Sequence, residues 1–380
     1  MHKRILIGLL SLSLFLGAVQ AQDKPDERKI LTDKAETLFQ QGKLDEAIET
    51  ADKVVDLEKN IKSADTVSYT NALINSARMK RDYFLLLRKK FQNREISPRA
   101  SEAASDKMLK MAKEADADFH LGLQLNEQGG RGETAQTADI KSDLAWLLYN
   151  YIGSRQSIDD AEKLFLESLA LNEKTRGNDA DETLFVALKT GDFYYELSNY
   201  EKALPFYERY IQTNEKNYGK NFPNLINALR PLANILFAAF QEQEAADVLK
   251  RIETITGKKE EMPKAGLNFH LRSKESVAVN TKVILDFRKD MELFRAKLKA
   301  ENRTLNGNNV SMMPKMAVIP VSVVVDENGK IIEAVANPRE NDKDLKEKAE
   351  QEVSKWNVRP FSYNGTPRKL RGVLYYRQVR

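Results

Sequence analysis

Small and apolar residues recur through the middle of this chain at a fixed interval of 42 residues. Ala161, Ala203 and Ala245 set the phase; Leu164, Phe206 and Val248 follow three positions later, and Phe165, Tyr207 and Leu249 four positions later. Gly191 and Ala233 hold a small position twelve residues ahead of an alanine, with Tyr194 and Leu236 nine ahead. Gly177 and Gly219, again 42 apart, fall between the blocks, as do Glu173-Lys174 and Glu215-Lys216. Three-four spacing of apolar residues is the stripe of a helix buried on one face. One helix pair per period of this length predicts a solenoid, in which no unit can bury its apolar face alone.

Residues 26–57 read as an isolated pair of the same kind, with Ala35, Leu38, Ala47, Ala51 and Val54 apolar and Gly42 ending the first helix as a left-handed cap. Two long helices are expected at 63–91 and 97–125, the second with Ser97 as N-cap and Pro98 in its first turn. Met108, Met111, Ala115 and Phe119 form its core face. Gln128-Gly129-Gly130-Arg131-Gly132 reads as an inter-repeat loop, since it lacks the Gly-Lys-Ser/Thr of a phosphate-binding loop and no strand precedes it. The remaining pairs are 144–151 with 157–171, 181–197 with 200–213, and 223–240 with 244–255. Pro205 is expected near the first turn of its helix, and Pro231 is expected to kink or end its own. Gly or Ala at the eighth position, Tyr or Leu at the eleventh, Ala at the twentieth and an aromatic or Leu at the twenty-fourth resemble tetratricopeptide repeats of the long, kinesin-light-chain-like class. The resemblance implies an α-helical tetratricopeptide solenoid over residues 26–260 and a protein-binding scaffold, and it specifies no ligand.

Residues 261–313 form a connector. Within it, 276–285 alternates like a strand, and Phe287, Met291, Phe294 and Leu298 have the spacing of one helix. Over 314–380 the pattern changes. Ile319, Val321, Val323 and Val325 alternate as a half-covered strand does, Asp326-Glu327-Asn328-Gly329 reads as a hairpin turn, and 331–336 returns. Leu345, Ala349, Val353 and Trp356 mark an amphipathic helix, Asn364-Gly365 is a second turn, and 370–379 is a final strand. The order strand-strand-helix-strand is a small α+β domain. Val321-x-Val323-x-Val325-Asp326-x-x-Gly329, Trp356-x-Val358-x-Pro360 and Gly365-x-Pro367 in this order resemble the C-terminal domain of TonB-type energy transducers. That resemblance implies an exposed sheet edge that receives an extended segment of an outer-membrane receptor by strand addition. The residues it points to are Leu370, Arg371, Gly372, Val373, Leu374, Tyr375, Tyr376 and Arg377. The chain departs from the family at Ala317, where a glycine is usual, and at Pro320. The proline cannot donate to a ladder, so it points to an edge strand or a late strand start.

Composition narrows the function. Of 380 residues, 60 are Lys or Arg and 56 Asp or Glu, so the chain is nearly neutral and lacks the footprint of a general nucleic-acid binder. There is no cysteine, which removes disulfides, thiolate metal sites and cysteine nucleophiles together. Residues 1–21 read as a secretory signal: Lys3 and Arg4, an apolar run at 5–19, and the small-x-small site Val19-Gln20-Ala21. Cleavage places the chain in the periplasm; retention would leave an inner-membrane anchor. His120 lies four residues after Asp116 on a helix and His270 is isolated, so no metal site is expected. No nucleophile elbow, zinc signature or nucleotide loop occurs, and neither enzymatic activity nor a cofactor is expected. The expectation is a non-enzymatic periplasmic adaptor linked to transmembrane transport, the array holding a protein partner and the module a receptor segment. Its alternatives are a scaffold for envelope assembly that dimerises through the C-terminal domain, and an anchored transducer.

Overall fold

A computed structural model describes residues 26–379, apart from 61–65, 94, 98–99, 152–154, 264–265, 269–288, 291, 295, 298–299, 302–315 and 338–342. The expected signal and the strand-like run at 276–285 lie outside the described residues. The chain divides into two compact units, Met1–Ser168 and Leu169–Arg380.

The first unit holds α1 (Glu27–Gln40), α2 (Leu44–Lys59), α3 (Thr66–Gln92), α4 (Ser101–Gln128), α5 (Ala135–Tyr151) and the start of α6 (Arg155–Arg176). Gly42, at φ +75°, closes α1 as expected, with Lys43 N–H donating to the Leu38 carbonyl at 3.0 Å and Gly42 N–H to that of Phe39 at 3.0 Å. Between α2, α3 and α4 the Lys80 ammonium is buried and reaches Asp52 and Asp118, each at 2.9 Å. A buried cation is tolerable only when paired in this way. The start of α4 differs from expectation: its N-cap is Ala100 with no side-chain cap, and Ser97 instead accepts the Ala100 N–H on its carbonyl at 3.0 Å. The glycine-rich stretch after α4 is a turn with Gly130 at φ +71°.

The second unit continues α6 and adds α7 (Asp181–Glu196), α8 (Tyr200–Tyr218), a 3-10 turn (Pro223–Leu225), α9 (Ile226–Ala238) and α10 (Glu242–Thr256). The 42-residue phase is visible in its burial: Ala203, Ala245, Tyr207 and Leu249 are buried, while Phe206 and Val248 are half-buried. A Cβ on Gly191 would stand 3.1 Å from the Tyr207 ring and 3.2 Å from Phe206, so α7 and α8 approach that closely only because this position has no side chain. The phase also repeats an ion pair. Arg209 meets Glu173 and the Asn178 carbonyl, and 42 residues on Arg251 meets Glu215 and the Lys220 carbonyl. Pro205 lies just past the first turn of its helix, as the sixth residue of α8, and Pro231 does not end its own, since α9 runs through it to Ala238. An interior proline costs about 3 kcal/mol, but Ala203, Leu204 and Tyr207 around one, and Leu229 and Ala233 around the other, are buried and hold the helical path.

Beyond the helices, the described residues from 289 to 300 are helical, as the connector pattern implies. The C-terminal region contains β1 (Leu267–Asn268), β2 (Met316–Val325), β3 (Ile331–Ala336), α11 (Lys343–Val353), β4 (Phe361–Tyr363), β5 (Thr366–Arg368) and β6 (Leu370–Val379). One sheet has the order β1-β6-β2-β3; β4 and β5 form a separate hairpin through Asn364-Gly365. Both β1 and the β4–β5 pair are additions to the expected strand-strand-helix-strand order. Pro320 is not on an edge: β2 pairs with both β3 and β6. Its carbonyl accepts from Asn337 N–H at 2.8 Å, just past the end of β3, and its missing N–H faces the same margin, so the ladder loses one bond where it is already ending.

Candidate protein-interaction site

The predicted binding strand, β6, alternates cleanly. Leu370, Gly372, Leu374 and Tyr376 are buried on the face covered by α11, where Trp356 and Tyr376 rings lie 6.5 Å apart. Arg371, Val373, Tyr375 and Arg377 turn to the other face. On one side β6 pairs antiparallel with β2 along its whole length; on the other it pairs in parallel with β1, Gly372 with Leu267 and Val373 with Asn268. The expectation of a bare edge from Leu370 to Arg377 is therefore corrected at Gly372 and Val373. The reason is non-local: the chain folds a connector segment back onto the sheet.

Arg371 ties the sheet to the repeats. Its guanidinium lies over the Phe240 ring at 3.9 Å and the Phe237 ring at 4.5 Å, and it forms an ion pair with Glu242. Phe237 lies in the last turn of α9, Phe240 occupies the turn beyond it and Glu242 opens α10. Phe240 is held at φ +59°, in the left-handed region where a bulky side chain is strained. Gly42 and Ser198 occupy the same helix-ending conformation at φ +75° and +56°, so other repeats place a small residue there. The phenylalanine instead supplies a face for the guanidinium, worth about 0.5–2 kcal/mol. Arginine suits this site because its planar group stacks on rings while its edges donate to a carboxylate. Close by, a Cβ on Gly266 would stand 2.3 Å from the Arg371 carbonyl oxygen, so only glycine lets β1 approach β6. Leu267 is 5% exposed, and α9 packs against both β1 and β6.

A second feature runs along α7 and α9. Phe185, Lys189, Asp192 and Glu196 share one stripe of α7 by their four-three-four spacing, with the Lys189 ammonium 4.5 Å from the Phe185 ring centre. Phe185 is 53% exposed, against the usual burial of a helix phenylalanine in an array. Asp192 accepts from the Tyr207 hydroxyl at 2.9 Å, and burial raises its carboxyl to about 6 against this hydrogen bond. From α9 the Asn234 amide donates to the Tyr195 hydroxyl at 3.3 Å, tying the two helices together. The arrangement offers aromatic, cationic and amide groups on neighbouring helices. Elsewhere, His120 Nδ1 lies 2.9 Å from the Asp116 carbonyl oxygen and 3.4 Å from its carboxylate, which raises the imidazole above its usual value. Among the described residues no group of three or more His, Asp or Glu is set to hold a metal, and no helix is long and apolar enough to cross a membrane.

Among the groups that build the junction, Arg371 is legible from sequence as a basic residue of β6. Phe237, Phe240, Glu242, Gly266 and Leu267 are not named by the sequence patterns. The one signal for them is the phenylalanine at the turn position that is Ser198 one repeat earlier.

Tetratricopeptide-repeat family models match residues 29–61 and 143–216. Solved structures similar to the chain include BtubC (BKLC) from P. vanneervenii, at 17% identity and TM-score 0.46 over 65% of this chain and 87% of that one. They also include a kinesin-light-chain protein from Podosopora anserina with nearly identical repeats, at 16% identity and TM-score 0.43 over 60% of this chain and 94% of that one. A variant of that same protein matches at 16% identity and TM-score 0.44, with the same shares covered. A comparison with curated proteins returns no match. The protein thus carries tetratricopeptide repeats followed by a small sheet region, a fold typical of non-enzymatic protein-interaction scaffolds.

Proposed function

We propose that this protein is a cell-envelope adaptor that joins two protein partners, one on the repeats and one on the C-terminal sheet. On this reading residues 1–21 are a cleaved signal, the mature chain works in the periplasm, and the sheet is a TonB-like module. It receives an extended segment of an outer-membrane receptor on β6, in support of transport. The observation that carries the reading is β6 itself: it accepts a parallel strand at Gly372 and Val373 on the side away from β2, which is the geometry of strand addition. The basic groups around it, Arg368, Lys369 and Arg377, favour an acidic segment. Isothermal titration of the mature chain with synthetic periplasmic segments of outer-membrane receptors tests it. Saturable binding with added amide protection at Arg371, Val373, Tyr375 and Arg377, the residues whose N–H groups face away from β2, is expected; no binding by any segment would remove the receptor role.

A second reading, a scaffold that self-associates, draws on β3. Among the described residues β3 is the terminal strand opposite β1, and Ile332 and Val335 on it are 47% and 51% exposed. Light scattering across a concentration series separates the two: a dimer lost on Val335→Lys supports the scaffold, and a monomer throughout supports the adaptor.

A further inference from the structure

The strand that occupies β6 belongs to the chain itself. We propose that Gly266–Asn268 is an internal occupant of the binding edge, so that a partner segment joins β6 only in exchange for β1. The proposal rests on the reading of β6 as the receiving strand and adds how that site is regulated and what its partner looks like.

The geometry is specific. β1 runs parallel to β6, pairing Leu267 with Gly372 and Asn268 with Val373. Gly266 passes so near the Arg371 backbone that a Cβ would fall 2.3 Å from its carbonyl oxygen and 2.6 Å from the Gly372 nitrogen. Leu267 is buried, and α9 packs against β1 as well as β6. Arg371, at the entry to this pairing, is fixed from the other side by Phe237, Phe240 and Glu242 of the last helix pair. The receiving strand is therefore anchored to the repeats through Arg371, while its occupant is a strand of two residues. So short a pairing is weak on its own, which is what an exchangeable occupant requires. A competing segment must reproduce its chemistry. It needs a glycine or a similarly small residue against Arg371, an apolar residue next, then a polar one, running parallel to β6. Because β1 also rests on α9, its release changes the surface of the last repeat, which couples occupancy of the sheet to the array.

The test uses the full mature chain and, as probe, a labelled peptide of residues 264–270 (KAGLNFH) supplied in trans. Gly266→Val places a branched side chain against the β6 backbone; Leu267→Asp removes the buried anchor and leaves that approach intact. Each variant is expected to raise hydrogen exchange at the Val373 amide, which faces β1, while the Gly372 amide, which faces β2, stays protected, and to bind the peptide at least about tenfold more tightly than wild type, about 1.4 kcal/mol. Exchange and affinity equal to wild type in both variants would overturn the proposal. So would loss of the helical circular-dichroism signal in both, since β1 would then be a fixed part of the core. If the variants take the peptide but no receptor segment, internal occupancy stands and the receptor reading falls. If receptor segments bind wild type as tightly as the variants, the receptor reading stands and internal occupancy falls.

Discussion

Two individual side chains sit at a cost that the structure offsets locally. Asp192 keeps its proton up to about pH 6 in the folded chain and up to about 3.8 when unfolded, because burial disfavours the charge. Between those values the folded state binds more protons, so stability falls as pH rises through the window and the penalty is complete above it. Asp192→Asn is expected to gain about 1–3 kcal/mol at pH 7.5 and to flatten the dependence between pH 4 and 6; urea titrations across that range measure it. Phe240 is the second case. Replacing it with Gly removes about 1–2 kcal/mol of left-handed strain and loses a comparable stacking term with Arg371. Global stability should hardly move while hydrogen exchange at Arg371 rises. A large global loss would show that the ring matters for packing rather than for the guanidinium.

Among the elements, the repeat pairs are readable from sequence because their determinants are local. A three-four stripe declares a helix, and a small residue where two helices cross declares a pair. Gly191 illustrates this: it holds a small position of the repeat, the structure puts a close crossing there, and Gly191→Leu is expected to cost about 2–3 kcal/mol by forcing α7 from Tyr207, seen as a lower urea midpoint with unchanged slope. The boundaries that differ from expectation have a physical cause too. Pro231 and Ser97 carry intrinsic preferences of about one to three kcal/mol, and the buried neighbours of the proline outweigh its own. β1 is not readable at all, since two residues contain no period.

Across the chain as a whole, the second unit joins repeats and sheet through a contact that spans 129 residues of sequence, Arg371 with Glu242. Glu242 is 52% exposed, so its ion pair should add little, and stacking on the two rings should carry the contact. Arg371→Ala and Arg371→Lys are both expected to lose about 1–2 kcal/mol, with lysine no more than about 0.5 kcal/mol better because it keeps charge without a planar face. Limited proteolysis at residues 257–266 gives an independent readout. The proposed localisation is tested on the intact chain as well: N-terminal sequencing of the exported protein is expected to begin at Gln22, and an intact Met1 would favour the anchored alternative.

Local spacing was enough to specify the tetratricopeptide helix pairs, their 42-residue phase, the strand alternation of the C-terminal region and the turns at Gly329 and Gly365. Each depends on residues a few positions apart, which the backbone geometry of helix, strand and turn makes visible. Three features came from the folded chain alone: β6 is shared between β2 and β1, Pro320 lies in an inner strand, and a strained phenylalanine holds the sheet to the last repeat. These depend on strand order and on distant groups meeting, and no local pattern encodes which side of a strand its own chain will return to cover.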